Sequence, residues 1–322
     1  MSANTSFPSS AERDSRVGDD EFATSWRSWH DESDRRRRDP HGVLAFTGLV
    51  WLTAQPQRIA EVPGLFSVPA GTHDVVIEAT AADGLRLGRR EGAEGDAEEL
   101  DGITVLGTLT PHVLTFADGE VEIARRGAHV IARPRSAYSP LLAAFDGTPA
   151  YAPDAAWVVP ARYEPWDQAR RVAVDAATGR FTHELDAVGT VRLTLDGQAY
   201  ELTAFAGFVP GTVRLPFRDA TNALTTYGAG RNVIVDLPES GGEAGAESDG
   251  ASGVAIVVDF TRAVNMPCAY SDFGTCPLPP AENRLDVPVT AGEKTPTLRL
   301  SADVDGHAVV ARSSASTPKD PS

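Results

Sequence analysis

Two stretches in the C-terminal half concentrate side chains that can hold or attack a small molecule. The first is Thr226-Tyr227-Gly228-Ala229-Gly230-Arg231. Its glycines permit a sharp turn or a close backbone approach, with amide N–H groups turned toward an anion. Arg231 adds a planar fork that fits carboxylate or phosphate. The alternative is architectural: a tight turn before a strand, with Arg231 paired to Asp219 or Asp259. The stretch is too short for a nucleotide phosphate loop and lacks that loop's lysine.

The second stretch, residues 265–283, holds Cys268, Cys276 and the prolines Pro267, Pro277, Pro279 and Pro280. So much proline fixes an irregular path that cannot be a central strand or helix, the kind of segment that caps a barrel mouth or lines a pocket. Cys268 is a candidate nucleophile if His30 or His183 folds against it as a base. A disulfide closing this small loop is chemically possible but disfavoured in the cytoplasm, and buried, unreactive cysteines are the plainer reading. Two cysteines this close, with no histidine at ligand spacing, do not make a metal site. Asn265, Tyr270, Glu282 and Asn283 flank the block and would converge with Arg231 on a polar pocket, although Asn283 could simply cap a turn. Lys294, beside Glu293, is one of only two lysines and reads as a surface ion pair or a site residue.

The candidate ligand-binding residues are therefore Tyr227, Arg231, Asn265, Cys268, Tyr270 and Asn283, with a small, anionic molecule as the expected partner. A hydrolase or transferase using Cys268, Asp259 or Glu282 in the same pocket is the second reading. A structural or interaction protein, with the block as a rigid plug, is the third. Nothing in the sequence assigns a cofactor, a metal or an oligomeric state.

The 322 residues carry 42% apolar side chains, enough to bury a core. The net charge of -16, from 45 acidic and 29 basic residues, repels phosphate backbones and anionic lipid surfaces. Nucleic acid and membranes are thus not expected partners. The preference for arginine over lysine, with abundant alanine, reads as the bias of a GC-rich bacterial genome. The first twenty residues are polar, without the apolar core of a signal peptide, and no run approaches the roughly 20 apolar residues of a membrane span. A soluble, cytoplasmic protein with reduced cysteines is expected.

The elements that must position these residues are mostly strands. Residues 1–18 read as a disordered arm and 19–38 as a helix, with Phe22, Trp26 and Trp29 on one face and Arg35-Arg36-Arg37-Arg38 in a solvated last turn. Its tryptophans, with Trp51 and Trp157, read as core. Beyond it, Asp-Gly pairs at Asp83-Gly84, Asp118-Gly119, Asp196-Gly197 and Asp305-Gly306 each separate two apolar runs, the strongest short hairpin signal. The expected fold is mostly β, with antiparallel sandwich or barrel-like sheets and an N-terminal helix. Residues 19–135 form a first β region and 136–312 a second, divided near residues 134–140. A Gly- and acid-rich segment, 239–252, reads as a flexible loop at a hairpin tip, and 313–322 as a disordered tail.

The order of the C-terminal motifs also resembles the domain-of-unknown-function 1684 family. The residues that carry the resemblance are Asp219-Ala220-Thr221, Thr226 to Arg231, Asp259-Phe260-Thr261-Arg262-Ala263, Asn265 to Tyr270, Thr275 to Pro280, Asn283-Arg284-Leu285 and Ala291-Gly292-Glu293-Lys294. Trp26…Trp29-His30, Gly48 to Leu52, Arg125-Arg126-Gly127 and Phe145-Asp146-Gly147 extend it over residues 22 to 295. The family commonly has Asn where this chain has Thr261, and Pro-Pro where it has Met266-Pro267. A ligand contact through that asparagine's amide would be lost here. The resemblance implies no activity.

Overall fold

Alternation of apolar residues along short strands builds two β regions. The computed structural model describes residues 10–88, 97–117, 119–238, 253–303 and 308–313, with side chains from Asp20 onward. Strand accounts for 48% of it and helix for 14%, in four antiparallel sheets. In the first region a four-stranded sheet (Gln57–Ile59, Val62–Ser67, Val75–Ala79, Gly102–Leu106) faces a six-stranded one. The latter runs Val50–Trp51, His129–Ser136, Gly119–Arg126, His112–Phe116, Arg86–Leu87, Glu98–Glu99. Phe66, Val75 and Ile77 from one sheet pack on Leu114, Val121, Ile123 and Ala132 from the other, which is sandwich packing.

The second region is a seven-stranded sheet in the order Val254–Asp259, Val158–Asp175, Thr182–Leu195, Gln198–Ala206, Thr212–Phe217, Arg231–Asp236, Val264–Asn265. Its core of Val191, Leu193, Leu202, Leu215, Val233 and Val258 is sealed by Phe260, Leu285, Val289 and Ala291 from the segments that follow. Among the described residues no sheet closes into a barrel. A two-stranded sheet, Leu298–Ala302 with Ala308–Arg312, completes the set. Residues 134–140 run from the end of strand His129–Ser136 into the short helix Pro140–Ala144.

The turn signals were uneven. Asp196 (φ 50°) and Gly197 (φ 76°) form the tight hairpin expected of them, joining Thr182–Leu195 to Gln198–Ala206. His112–Phe116 and Gly119–Arg126 also pair as a hairpin. Asp83-Gly84 does not make one. Asp83 closes a capping box with Thr80, Gly84 adopts φ 63°, and the resulting helical turn carries the chain from one sheet of the sandwich to the other. The strands flanking 239–252 are not a hairpin either. Arg231–Asp236 pairs with Thr212–Phe217 and Val264–Asn265, whereas Val254–Asp259 pairs with the start of Val158–Asp175. The segment itself, the Asp305-Gly306 turn and the tail beyond residue 313 lie outside the described residues.

Helix α1 spans Ser10–Arg37, starting before the expected residue 19; the rest of the expected arm, 1–9, lies outside the described residues. Of the tryptophans expected in the core, Trp26 is buried and its Nε1 donates to the Thr261 carbonyl (2.7 Å), whereas Trp29, Trp51 and Trp157, like Phe22, are only half-buried. The same stripe continues, however, through polar residues at helical spacing. Asp34 accepts the Thr148 amide (3.0 Å), and Arg37 donates to Asp34 (2.8 Å) and to the carboxylate of buried Glu293. The expected solvated turn is therefore split. Arg35 and Arg36 pair with Glu32 at the surface, while Arg37 is anchored inside because position 37 shares the face of Trp26, His30 and Asp34.

Removing one partner of a buried pair leaves the other charge uncompensated. Arg37→Ala is therefore expected to destabilise the fold by about 3–5 kcal/mol. Arg35→Ala, one position away, should leave the urea midpoint unchanged; equal midpoints for both variants would show that α1 is not anchored through Arg37.

Candidate functional site

Pairing of Arg231–Asp236 on both sides draws Arg231 into the core, where it is fully buried. Nη2 donates to Asp219 Oδ2 (2.8 Å) and the Val289 carbonyl (3.0 Å). Nη1 donates to the carbonyls of Glu293 (3.2 Å) and Ala291, and the guanidinium lies over the Phe217 ring. Asp219 also accepts from Thr221 and from the Val289 amide (3.2 Å). Gly230 serves this packing: at φ 94°, a Cβ there would lie 2.5 Å from the Phe217 carbonyl oxygen. Of the two acidic partners expected for Arg231, Asp219 is the one found; Asp259 caps the turn at Thr261 and pairs with Arg262.

Three further candidates are tied up in the same core. Asn283 donates to the Thr203 and Pro216 carbonyls (2.9 and 2.8 Å) and accepts the Thr203 amide (2.7 Å). Asn265 donates its side-chain amide to the Lys294 carbonyl and its backbone N–H to Glu293 (both 2.7 Å). The Tyr270 hydroxyl meets Thr148 (2.9 Å), and burial pushes the phenol's pKa up, with Glu293 adding to the rise. Glu282, offered as a chemical residue, is exposed and accepts from Thr203. Arg231 is fully enclosed, so among the described residues these side chains share no open pocket with it.

Tyr227 and Cys268 do border an opening, a cleft of about 390 Å³ shared with Trp51, Asp272 and Arg299. Arg299 lies over the Tyr227 ring and donates to the carbonyls of Cys268 and Ala269 and to Asp272. Both cysteines are thiols, and the Cys268 amide donates to Cys276 Sγ (3.2 Å). His30 stacks on Trp26, and His183 Nε2 engages the Thr275 carbonyl (2.6 Å), so neither expected base bonds Cys268.

Cys276 opens instead onto a larger cleft of about 1020 Å³. Pro267, Thr275, Cys276 and Pro277 supply one wall, so the proline-rich block does line a pocket. The end of the long hairpin supplies a second wall with Arg171, Phe181, His183 and Glu184. The third comes from the Gly119–Arg126/His129–Ser136 hairpin. There Val121, Ile123, Val130 and Ala132 point into the sandwich, which by strand alternation turns Glu120, Glu122, Arg133 and Arg135 to the opposite face. Arg133 stands opposite Glu122, and Arg135 opposite Glu120. Arg133, Arg135 and Arg126 all pair with Glu122. Arg126 Nε also reaches Thr275 Oγ1 (3.1 Å), so Thr275 is held from one wall by Arg126 and from another by His183. Burial pushes His183 below its ordinary pKa, and neighbouring Arg126 and Arg214 reinforce this.

In the sequence, Arg125-Arg126-Gly127 stands out only as part of the family resemblance and residues 134–140 only as a division between two β regions. The available signal was the alternation of charged with apolar residues along both strands. Among the described residues no group of three or more His, Cys, Asp or Glu is placed to hold a metal ion, and no helix is long and apolar enough to cross a membrane.

A family model described as "Protein of unknown function (DUF1684)" matches residues 143–294. An uncharacterized protein of Haloarcula marismortui, solved by solution NMR, is similar at 32% identity over 48% of this chain and 80% of that one, with a TM-score of 0.38. No curated protein matches the chain.

Two outcomes follow from this geometry. Arg231→Ala strands buried Asp219 and should cost about 3–5 kcal/mol in denaturant unfolding. Arg231→Lys should also destabilise, because one ammonium cannot reproduce the fork between Asp219 and three carbonyls. Glu122 generates a pH dependence. Burial raises its pKa, but Arg133, Arg126 and Arg135 outweigh burial and hold it below the ordinary range. A depressed carboxylate contributes stability above its unfolded pKa and loses it as pH falls through the folded value. Glu122→Gln should lower stability near neutral pH and flatten the loss on acidification; an unchanged acid limb would show that the arginine cluster does not depend on this charge.

Proposed function

We propose that this chain, which belongs to the DUF1684 family, binds a small anionic molecule in the arginine-lined cleft. One observation carries the reading. In a protein of net charge -16, the lining contains Arg125, Arg126, Arg133, Arg135 and Arg171 against Glu184 as its only acidic member among the described residues. Glu120 and Glu122, buried on the same strand face as Arg133 and Arg135, hold three of these guanidiniums in fixed orientation, as a preorganised anion site requires. Val43, Phe46, Leu109 and Phe181 add apolar surface, the usual combination of a few convergent polar groups on an apolar wall. The ligand class this favours carries a carboxylate or phosphate and an apolar body. Arg231, Asn265, Tyr270 and Asn283, read from the sequence as ligand-binding residues, support the cleft instead, by fixing the block that forms one wall.

Hydrolysis or group transfer through Cys268 is the weaker reading. Among the described residues no histidine or carboxylate hydrogen-bonds its thiol, and burial together with the Cys276 contact pushes its pKa up.

Thermal unfolding in the presence of mono- and polyvalent carboxylates and phosphates tests binding. A true ligand at a hundredfold excess over Kd should stabilise by about 2.7 kcal/mol, with the effect falling as salt rises. The double variant Arg125→Ala/Arg171→Ala removes the two most exposed guanidiniums of the lining and should abolish the shift while preserving the unliganded midpoint. Stabilisation that is indifferent to both substitutions, or no stabilisation by any anion, would overturn the assignment.

A further inference from the structure

The loop from Pro267 to Pro277 brings its two cysteines together, with Cys276 on the large cleft and Cys268 on the small one. The Cys268 amide donates to Cys276 Sγ (3.2 Å). The loop is shaped for this meeting. A Cβ on Gly274 would lie 2.8 Å from both the N and the Cα of Cys268, so the chain folds back on itself only with glycine there. The two sulfurs are not equivalent. Cys276, 8% exposed, lines the arginine cleft, whereas Cys268, 2% exposed, sits behind it on the side of the smaller cleft. Arg133, which also donates to the Phe273 carbonyl in this loop (3.4 Å), places positive charge near Cys276.

From this arrangement we infer that Cys276 and Cys268 form a redox-active dithiol, in which Cys276 reacts with a small hydroperoxide entering the arginine cleft and Cys268 resolves the product as a disulfide. The asymmetry of the thiols agrees. The hydrogen bond from Cys268 lowers the Cys276 pKa against the effect of burial, with the Cys268 amide and Arg133 helping, while Cys268 is pushed up by its bond to Cys276 and by burial. That is the division between an attacking thiolate and a resolving thiol. In the first step the Cys276 thiolate attacks one peroxide oxygen. An S–O bond forms, the O–O bond breaks, and the departing alkoxide or hydroxide takes a proton, leaving Cys276 as a sulfenic acid. In the second, Cys268 sulfur attacks Cys276 sulfur. The S–S bond forms, the S–O bond breaks, and the leaving hydroxide takes the Cys268 proton as water. Two thiols and one hydroperoxide thus give one disulfide, one alcohol (water, if the oxidant is hydrogen peroxide) and one water. The narrow exposure of Cys276 selects a small oxidant over a bulky disulfide.

The test uses the full chain, reduced and then exposed to equimolar hydrogen peroxide, with no anion added. Intact mass should fall by about 2 Da, both thiols should disappear together from alkylation, and peptide mapping should find a Cys268–Cys276 link that dithiothreitol reverses. Cys268→Ser should stop at a sulfenic acid on Cys276, trapped by dimedone, and Cys276→Ser should leave Cys268 at least tenfold slower to oxidise. Should either variant fail to fold, the wild-type mass and mapping decide alone. Thiols that persist under a large excess of peroxide, or that oxidise separately without forming the link, overturn the inference.

Discussion

A guanidinium with no access to water must be surrounded by acceptors, and in this protein Arg231 imposes that demand on the whole C-terminal region. Its desolvation is offset only if a carboxylate and several carbonyls are held in fixed positions around it. Asp219 provides the charge, and the backbone of residues 289–293 bends to present three carbonyls to the fork. That bend places the Glu293 side chain in the interior as well, where Arg37 of helix α1, the Asn265 amide and Tyr270 share it. The helix, the edge strand Val264–Asn265 and the proline-rich block are thereby fixed to one buried charge network. Such a network defines a unique arrangement more strongly than apolar packing does, because each member left unpaired is costly.

The cleft is built on a different principle. Strand alternation sends apolar residues into the sandwich and leaves a row of opposite charges on the outer face, where Arg133 and Arg135 stand across from Glu122 and Glu120. These pairs limit the motion of the guanidiniums without neutralising the lining, since Arg125 adds further positive charge, whereas Arg171 pairs with Asp186 (3.0 Å). Thr275, clamped by Arg126 and His183, transmits the position of both walls to Cys276. The arginine wall and the thiol pair therefore share their supports.

The contrast between global and local charge matters for what can approach. A net charge of -16 discourages polyanions at long range, whereas a small anion that enters the cleft meets several oriented guanidiniums at short range, where screening is weak. On the proposed reading, this combination would favour compact ligands over nucleic acid or an anionic membrane surface.

Period-two alternation and Asp-Gly turns were legible in the sequence because they are local. They gave the mostly β fold and the hairpins at residues 116–119 and 196–197, and the helical spacing of Phe22, Trp26 and Trp29 gave α1. The sequence also marked Arg231 and Asp219 as possible partners and the proline block as the wall of a pocket. Strand partners across long separations were not legible. Nothing local distinguishes Asp83-Gly84, which crosses between sheets, from a hairpin turn, or tells residues 254–259 to pair with 158–163. The same limit hid the role of Arg37, whose partner Glu293 is remote in sequence, and the gathering of Arg125, Arg126, Arg133 and Arg135 with His183 and Cys276. Residue type fixed what each side chain could do; only the pairing of distant strands decided which were sealed into the core and which were left facing a cleft.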